Sequence, residues 1–96
     1  MFKGKTSSGF TYEANERTIN DWRFLQTLTE ADDSSNPMQQ IRAIRALLRM
    51  IIGTDGEIAL TRHVEKDGIA DQADVMRELA EIIQELRDRN VKAKNS

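Results

Sequence analysis

The chain has 96 residues, 39% hydrophobic and 31% charged, with 14 Lys and Arg against 16 Asp and Glu and no cysteine. That length makes one domain, which buries only about 60 to 65% of its unfolded surface and is therefore marginally stable. Disulfide and thiolate chemistry are excluded, and the formal charge of -2 with a pI near 5.4 argues against a nucleic-acid footprint.

The N-terminus lacks the apolar run of roughly seven to fifteen residues that a signal peptide needs, and no segment approaches the ~18 apolar residues of a membrane span. A soluble cytoplasmic protein without membrane contact is expected. Aromatic residues make up only 5% of the chain and crowd toward the N-terminus, as Phe2, Phe10, Tyr12, Trp22 and Phe24.

From Phe2 to Ala14, aromatic and threonine residues alternate with polar ones on both sides of Ser7-Ser8-Gly9, which predicts a small β-hairpin over residues 1–14. A hairpin alone is marginal in water, so Phe10 and Tyr12, or Phe2, should lie on a helix, with Trp22 and Phe24 the nearest to receive them. The alternative is a flexible arm. A helical domain is expected over residues 15–90. Asn15 before Glu16 reads as an N-cap, and Ile19, Trp22, Leu25 and Leu28 then recur every third residue, predicting a helix over 16–30. A polar break follows, in which Asn36 caps a helix with Pro37 at its first position.

Met38, Ile41, Ile44, Leu47, Leu48, Ile51 and Ile52 make that second helix the most apolar segment, and Gly53 stops it. Thr54 and Glu57 have capping-box spacing for a short third helix carrying Leu60 and Val64 on one side and ending at Asp67-Gly68, although Gly56 in its first turn weakens it by ~1 kcal/mol relative to alanine. Asp71 or Asp74 caps the last helix, whose apolar face holds Val75, Met76, Leu79, Ile82, Ile83 and Leu86. Residues 91–96 read as a flexible polar tail. The fold class expected is mainly α, with about four helices and a small N-terminal hairpin.

Little here suits catalysis. His63 is the single histidine, so a metal site would have only carboxylates beside it, and it reads as a surface or partly packed helical residue. No serine stands in a recognisable nucleophile elbow. The acids between Asp55 and Asp71 lack calcium-loop spacing, and the five glycines form no phosphate cradle. Neither metal nor cofactor is expected.

Two features point to binding. Arg42, Arg45 and Arg49 lie three and four apart on the second helix, a row suited to an acidic partner or a phosphate. The plainer reading pairs them with the acidic row Glu78, Glu81, Glu85 and Asp88 of the last helix, each exposed pair adding ~0 to 1 kcal/mol. Val75, Leu79, Ile82 and Leu86 form a coiled-coil-like seam that Met76 and Ile83 broaden. Most of it is core, and the surplus suits a partner helix or a second copy of the chain. Arg42, Arg45, Arg49, Met76, Leu79, Ile83 and Leu86 are thus the candidate partner-binding residues.

The layout resembles that of the tail assembly chaperones of long-tailed bacteriophages and prophages of Gram-positive hosts. The likeness lies in Phe2-Lys3-Gly4-Lys5-Thr6-Ser7-Ser8-Gly9-Phe10-Thr11-Tyr12-Glu13, in Asn20-Asp21-Trp22-Arg23-Phe24, in the apolar helix closed by Gly53, in the Asp67-Gly68 turn and in Lys94-Asn95-Ser96. It spans nearly the whole chain, and Gly56 departs from the pattern. The resemblance implies a non-catalytic, mainly helical protein of the host cytoplasm, absent from the mature virion. Its partners would be the tape measure protein, kept soluble by a coat of chaperone, and the major tail protein of the tube. It also implies a longer form made by ribosomal frameshifting, for which Ala93, Lys94 and Asn95 can be encoded as a slip site. The competing reading is a small phage-derived adaptor or regulator whose third and fourth helices form a helix-turn-helix. Against DNA binding, the last helix opens on Asp71-Gln72-Ala73-Asp74, which would repel phosphate.

Overall fold

The computed structural model describes residues 1–33 and 35–95, with side chains given through residue 90. The chain runs as β1 (Phe2–Lys5), β2 (Thr11–Ala14), a 3-10 helix (Glu16–Asn20), α1 (Trp22–Asp32), α2 (Pro37–Val64) and α3 (Gln72–Asn95). The fold is mainly helical with a small N-terminal hairpin, as expected, but it has three α-helices rather than about four.

The expected first helix is divided. Asn15 does cap it, its Oδ1 accepting from the Arg17 amide at 2.9 Å, but what it caps is a 3-10 helix. The α-helix starts afresh after Asp21, whose carboxylate accepts from the Arg23 amide at 2.7 Å. Two good caps six residues apart compete for one stretch of chain, and Ile19 of the 3-10 helix is buried against the core. Asn36 and Pro37 start α2 as predicted, Asn36 Oδ1 accepting from the Gln39 amide at 3.2 Å.

The expected second and third helices are merged in α2, which bends at Gly53 (φ 78°, ψ 173°), a conformation reserved for glycine. Gly53 thus breaks the helical backbone, as expected, and a second helical arm follows it. Gly56 is the other half of this elbow, since a Cβ there would meet Ile52 Cβ at 2.7 Å. At the far end, Lys66 and Ile69 exchange backbone hydrogen bonds of 2.8 and 3.0 Å across Asp67 (φ 54°) and Gly68 (φ 81°), a tight turn with both central residues left-handed. Asp71 then caps α3 through the Ala73 amide at 2.8 Å. The backbone of α3 continues to Asn95, so most of the stretch expected to be a polar tail is helical; the side chains of residues 91–95 and all of Ser96 lie outside the described residues.

One core joins every layer: Phe10, Tyr12 and Ala14 from the hairpin, Ile19, Phe24 from α1, Leu47 and Leu60 from the two arms of α2, and Ile82 and Leu86 from α3. The hairpin forms in the register Phe2↔Ala14 and Gly4↔Tyr12. Gly4 is required there, because the Tyr12 ring lies where its Cβ would be. The hairpin packs on α2 and α3, not on Trp22, which remains 71% exposed. Among the described residues no helix is long and apolar enough to cross a membrane.

Candidate functional site

The arginine row of α2 is the first candidate. Arg42, Arg45 and Arg49 sit on the outer side of the first arm, opposite buried Ile44, Leu47, Leu48 and Ile51. Their partner is not the acidic row of α3. Arg45 Nε donates to Glu57 Oε2 at 3.0 Å and Arg49 Nε to Glu57 Oε1 at 2.8 Å, so one carboxylate of the second arm is held by two guanidinium groups of the first. Glu57 is only 8% exposed. Burial by itself raises its pKa, but the two guanidiniums outweigh burial and leave it below the ordinary value. The expected capping box with Thr54 is therefore replaced, because the bend at Gly53 turns Glu57 back toward the arginines. Among the described residues Arg42 makes no ion pair. Beside this row stand Met38, 70% exposed, and Ile41, 47% exposed, both of which the sequence pattern assigns to the buried face.

The acidic row of α3 splits between two tasks. Glu78 Oε1 accepts from Thr6 Oγ1 at 2.8 Å and from Ser8 Oγ at 2.6 Å, and Glu81 accepts from the Ser7 amide at 3.0 Å and from Ser7 Oγ at 2.8 Å. These bonds latch the hairpin turn to α3, and the bonds from Ser7 hold the Glu81 carboxyl below its ordinary pKa. Further along, Glu85 pairs with Arg89 at 3.2 Å and Asp88 accepts from Gln84 at 3.0 Å. The turn hydroxyls gave no hint of this in the sequence, since nothing local links residues seventy positions apart.

The latch also holds His63. Its Nε2 lies 2.9 Å from Ser8 Oγ, and its ring packs on Phe10 with centroids 5.4 Å apart. A nucleophilic serine needs the imidazole between hydroxyl and acid, so that the base is oriented by the carboxylate. Here Ser8 stands between His63 and Glu78 and gives its one proton toward the acid at 2.6 Å. That order ties three elements together and leaves His63 without an orienting carboxylate among these contacts. Among the described residues no group of three His, Asp or Glu side chains is placed to hold a metal ion.

Of the α3 candidates, Leu79, Ile83 and Leu86 are buried in the core and occupied by the chain's own side chains, while Met76 stays exposed. The apolar surface that remains outside comes mainly from elsewhere: Trp22 and Leu25 on α1, Met38 and Ile41 on α2, Ile58 on its second arm and Ile69 in the turn before α3. The periodicity of α1 and α2 assigned several of these inward, because it shows that a face is apolar without showing how wide a neighbour will cover it. No family model matches this chain, and neither a curated protein nor a solved structure matches it.

Proposed function

We propose that this protein is a non-catalytic tail assembly chaperone of a long-tailed bacteriophage or prophage. In the host cytoplasm it coats the tape measure protein, holds that long helix soluble and brings major tail protein to it, and it leaves before the virion is mature. The observation that carries this reading is the exposure of Trp22 and Met38, at 71% and 70%, in a chain with so few large side chains to leave outside. Single exposed apolar residues are ordinary, but Met38 and Ile41 adjoin the arginine row, and methionine adapts to varied helical partners. The likeness of the sequence layout to this class of chaperone supports the choice of partner.

Co-expression with the tape measure and major tail proteins of the same gene cluster tests it. The wild-type chain is expected to co-purify with the tape measure protein, and Trp22→Ser with Met38→Ser to lose it while keeping the melting temperature. Failure of the wild type to be retained, or duplex DNA binding that weakens steeply with salt, would sink the proposal. The frameshifted form is checked in the gene, where A-AAA-AAC or A-AAA-AAT across codons 93 to 95 is expected.

A further inference from the structure

The hairpin leaves one edge of its sheet open. Along an antiparallel ladder, pairs that exchange main-chain hydrogen bonds alternate with pairs whose N–H and C=O groups point away from the partner strand. The Thr6 amide donates to the Phe10 carbonyl at 2.9 Å, so in the register Gly4↔Tyr12 and Phe2↔Ala14 it is the even-numbered residues that make the ladder. The N–H and C=O groups of Thr11 and Glu13 therefore point out from the free side of β2 and, among the described residues, meet no other main-chain group. We propose that this edge, with the flank of α2 beside it, takes an extended, basic segment of a partner protein as a third strand of the sheet. Neither Trp22 nor Met38 lines that groove, so the strand site does not rest on the proposed function.

What stands beside each edge decides which one is used. Beside β1, α3 presents the polar Glu81, Gln84, Glu85 and Asp88, and the strand itself carries Lys3 and Lys5, the kind of side chain that guards an open edge. Beside β2, the second arm of α2 presents Ile52, Gly56 and Ala59 along a groove. Ile52 is only partly buried and Ala59 is exposed, so this side of the groove is apolar and uncovered. A strand added here alternates its side chains between the two faces. Those next to Tyr12 turn in on Ile52 and Ala59 and must be apolar, while those next to Thr11 and Glu13 turn out to solvent. Charge makes the outward set basic. Glu13 has only the exposed Lys3, at 3.5 Å, and Asp55, exposed on the same flank of α2, makes no ion pair among the described residues. The same edge of a second copy fits less well, because it would bring another Glu13 and another Asp55 to an acidic rim.

The probe is a peptide of alternating valine and lysine, blocked at both ends and about five residues long, which at ~3.3 Å per residue matches the length of β2. On binding, the amides of Thr11 and Glu13 are expected to gain protection from hydrogen exchange, while those of Lys3 and Lys5 on the other edge do not. N-methylation of the peptide's lysines, whose N–H groups face Thr11 and Glu13, should weaken binding about tenfold or more, and N-methylation of its valines should leave it within about twofold. Glutamate in place of lysine should weaken it about tenfold, an effect that fades with salt. Thr11→Pro removes an edge donor and no ladder bond, so it should weaken binding while the ladder amides stay protected. If Thr11→Pro loses the hairpin, the methylated peptides decide the matter on the wild-type chain. Equal binding of the two methylated peptides, protection that falls on other residues, or no binding at millimolar peptide would each overturn the strand site and leave the proposed function standing. Protection of Thr11 and Glu13 that grows with protein concentration in the absence of peptide would give the edge to a second copy of the chain and overturn the basic partner.

Discussion

Gly53 and Gly56 show how much of this fold hangs on single positions. Gly53 sits at φ 78° and ψ 173°, where any side chain is strained by about 1 to 3 kcal/mol, so Gly53→Ala is expected to lower the melting temperature by several degrees. Gly56 is helical, and on propensity alone Gly56→Ala should stabilise by ~1 kcal/mol. The position of Ile52 Cβ, 2.7 Å from where the new methyl would stand, reverses that sign. Thermal melts should show Gly56→Ala destabilised, and Ile52→Ala with Gly56→Ala less destabilised than the sum of the single changes. Additive losses would mean that Ile52 is not what forbids the side chain. The sequence could place both glycines near a helix break, but the contact between Ile52 and Gly56 exists only once Gly53 has bent the chain.

At the scale of elements, the hairpin is held by polar bonds as well as by its aromatic face. Phe2, Tyr12 and Phe10 stack edge to face and in parallel, and the Arg89 guanidinium covers the Phe2 ring at 3.8 Å. Glu78 is buried, and its acceptor satisfies two hydroxyls of the turn. Glu78→Ala is expected to cost about 1 to 3 kcal/mol and to speed amide exchange in β1 and β2 ahead of the helices. Exchange in the hairpin unchanged from wild type would show that the aromatic face suffices. The acids also set the response to pH. Glu57 and Glu81 both titrate below their ordinary value of 4.5 in the folded chain, so the stability they contribute is present above that value and is lost as pH falls through their folded values. The melting temperature should therefore decline below about pH 4.5, and Glu81→Gln should flatten part of that decline.

For the whole molecule, the core is a single cluster to which hairpin, 3-10 helix and all three α-helices contribute, so its loss should be cooperative. Ile82 is fully buried at its centre. Ile82→Ala is expected to cost about 2 to 5 kcal/mol, and Ile82→Asp, which buries an unpaired charge, to abolish the folded state by circular dichroism. An Ile82→Asp protein that melts like the wild type would place that face outside the core. The same core explains why Leu79, Ile83 and Leu86 are covered by the chain itself. In a domain of this size nearly every strong apolar face is needed for folding, and what is left exposed is the rim.

Local chemistry was enough to determine much of this protein. The hairpin around Ser7-Ser8-Gly9, the caps at Asn36 and Asp71, the Asp67-Gly68 turn and the inward faces of Leu47, Leu60 and Ile82 all follow from neighbours within one turn of chain. Tertiary structure alone decided the rest. Whether Glu57 would close a capping box or bind Arg45 and Arg49 depended on the direction in which Gly53 sends the chain, and whether Trp22 or Met38 would be covered depended on which element arrived beside it. Hydrophobic periodicity carries only the angle of a side chain about its helix, while burial and ion pairing depend on distances between segments far apart in sequence.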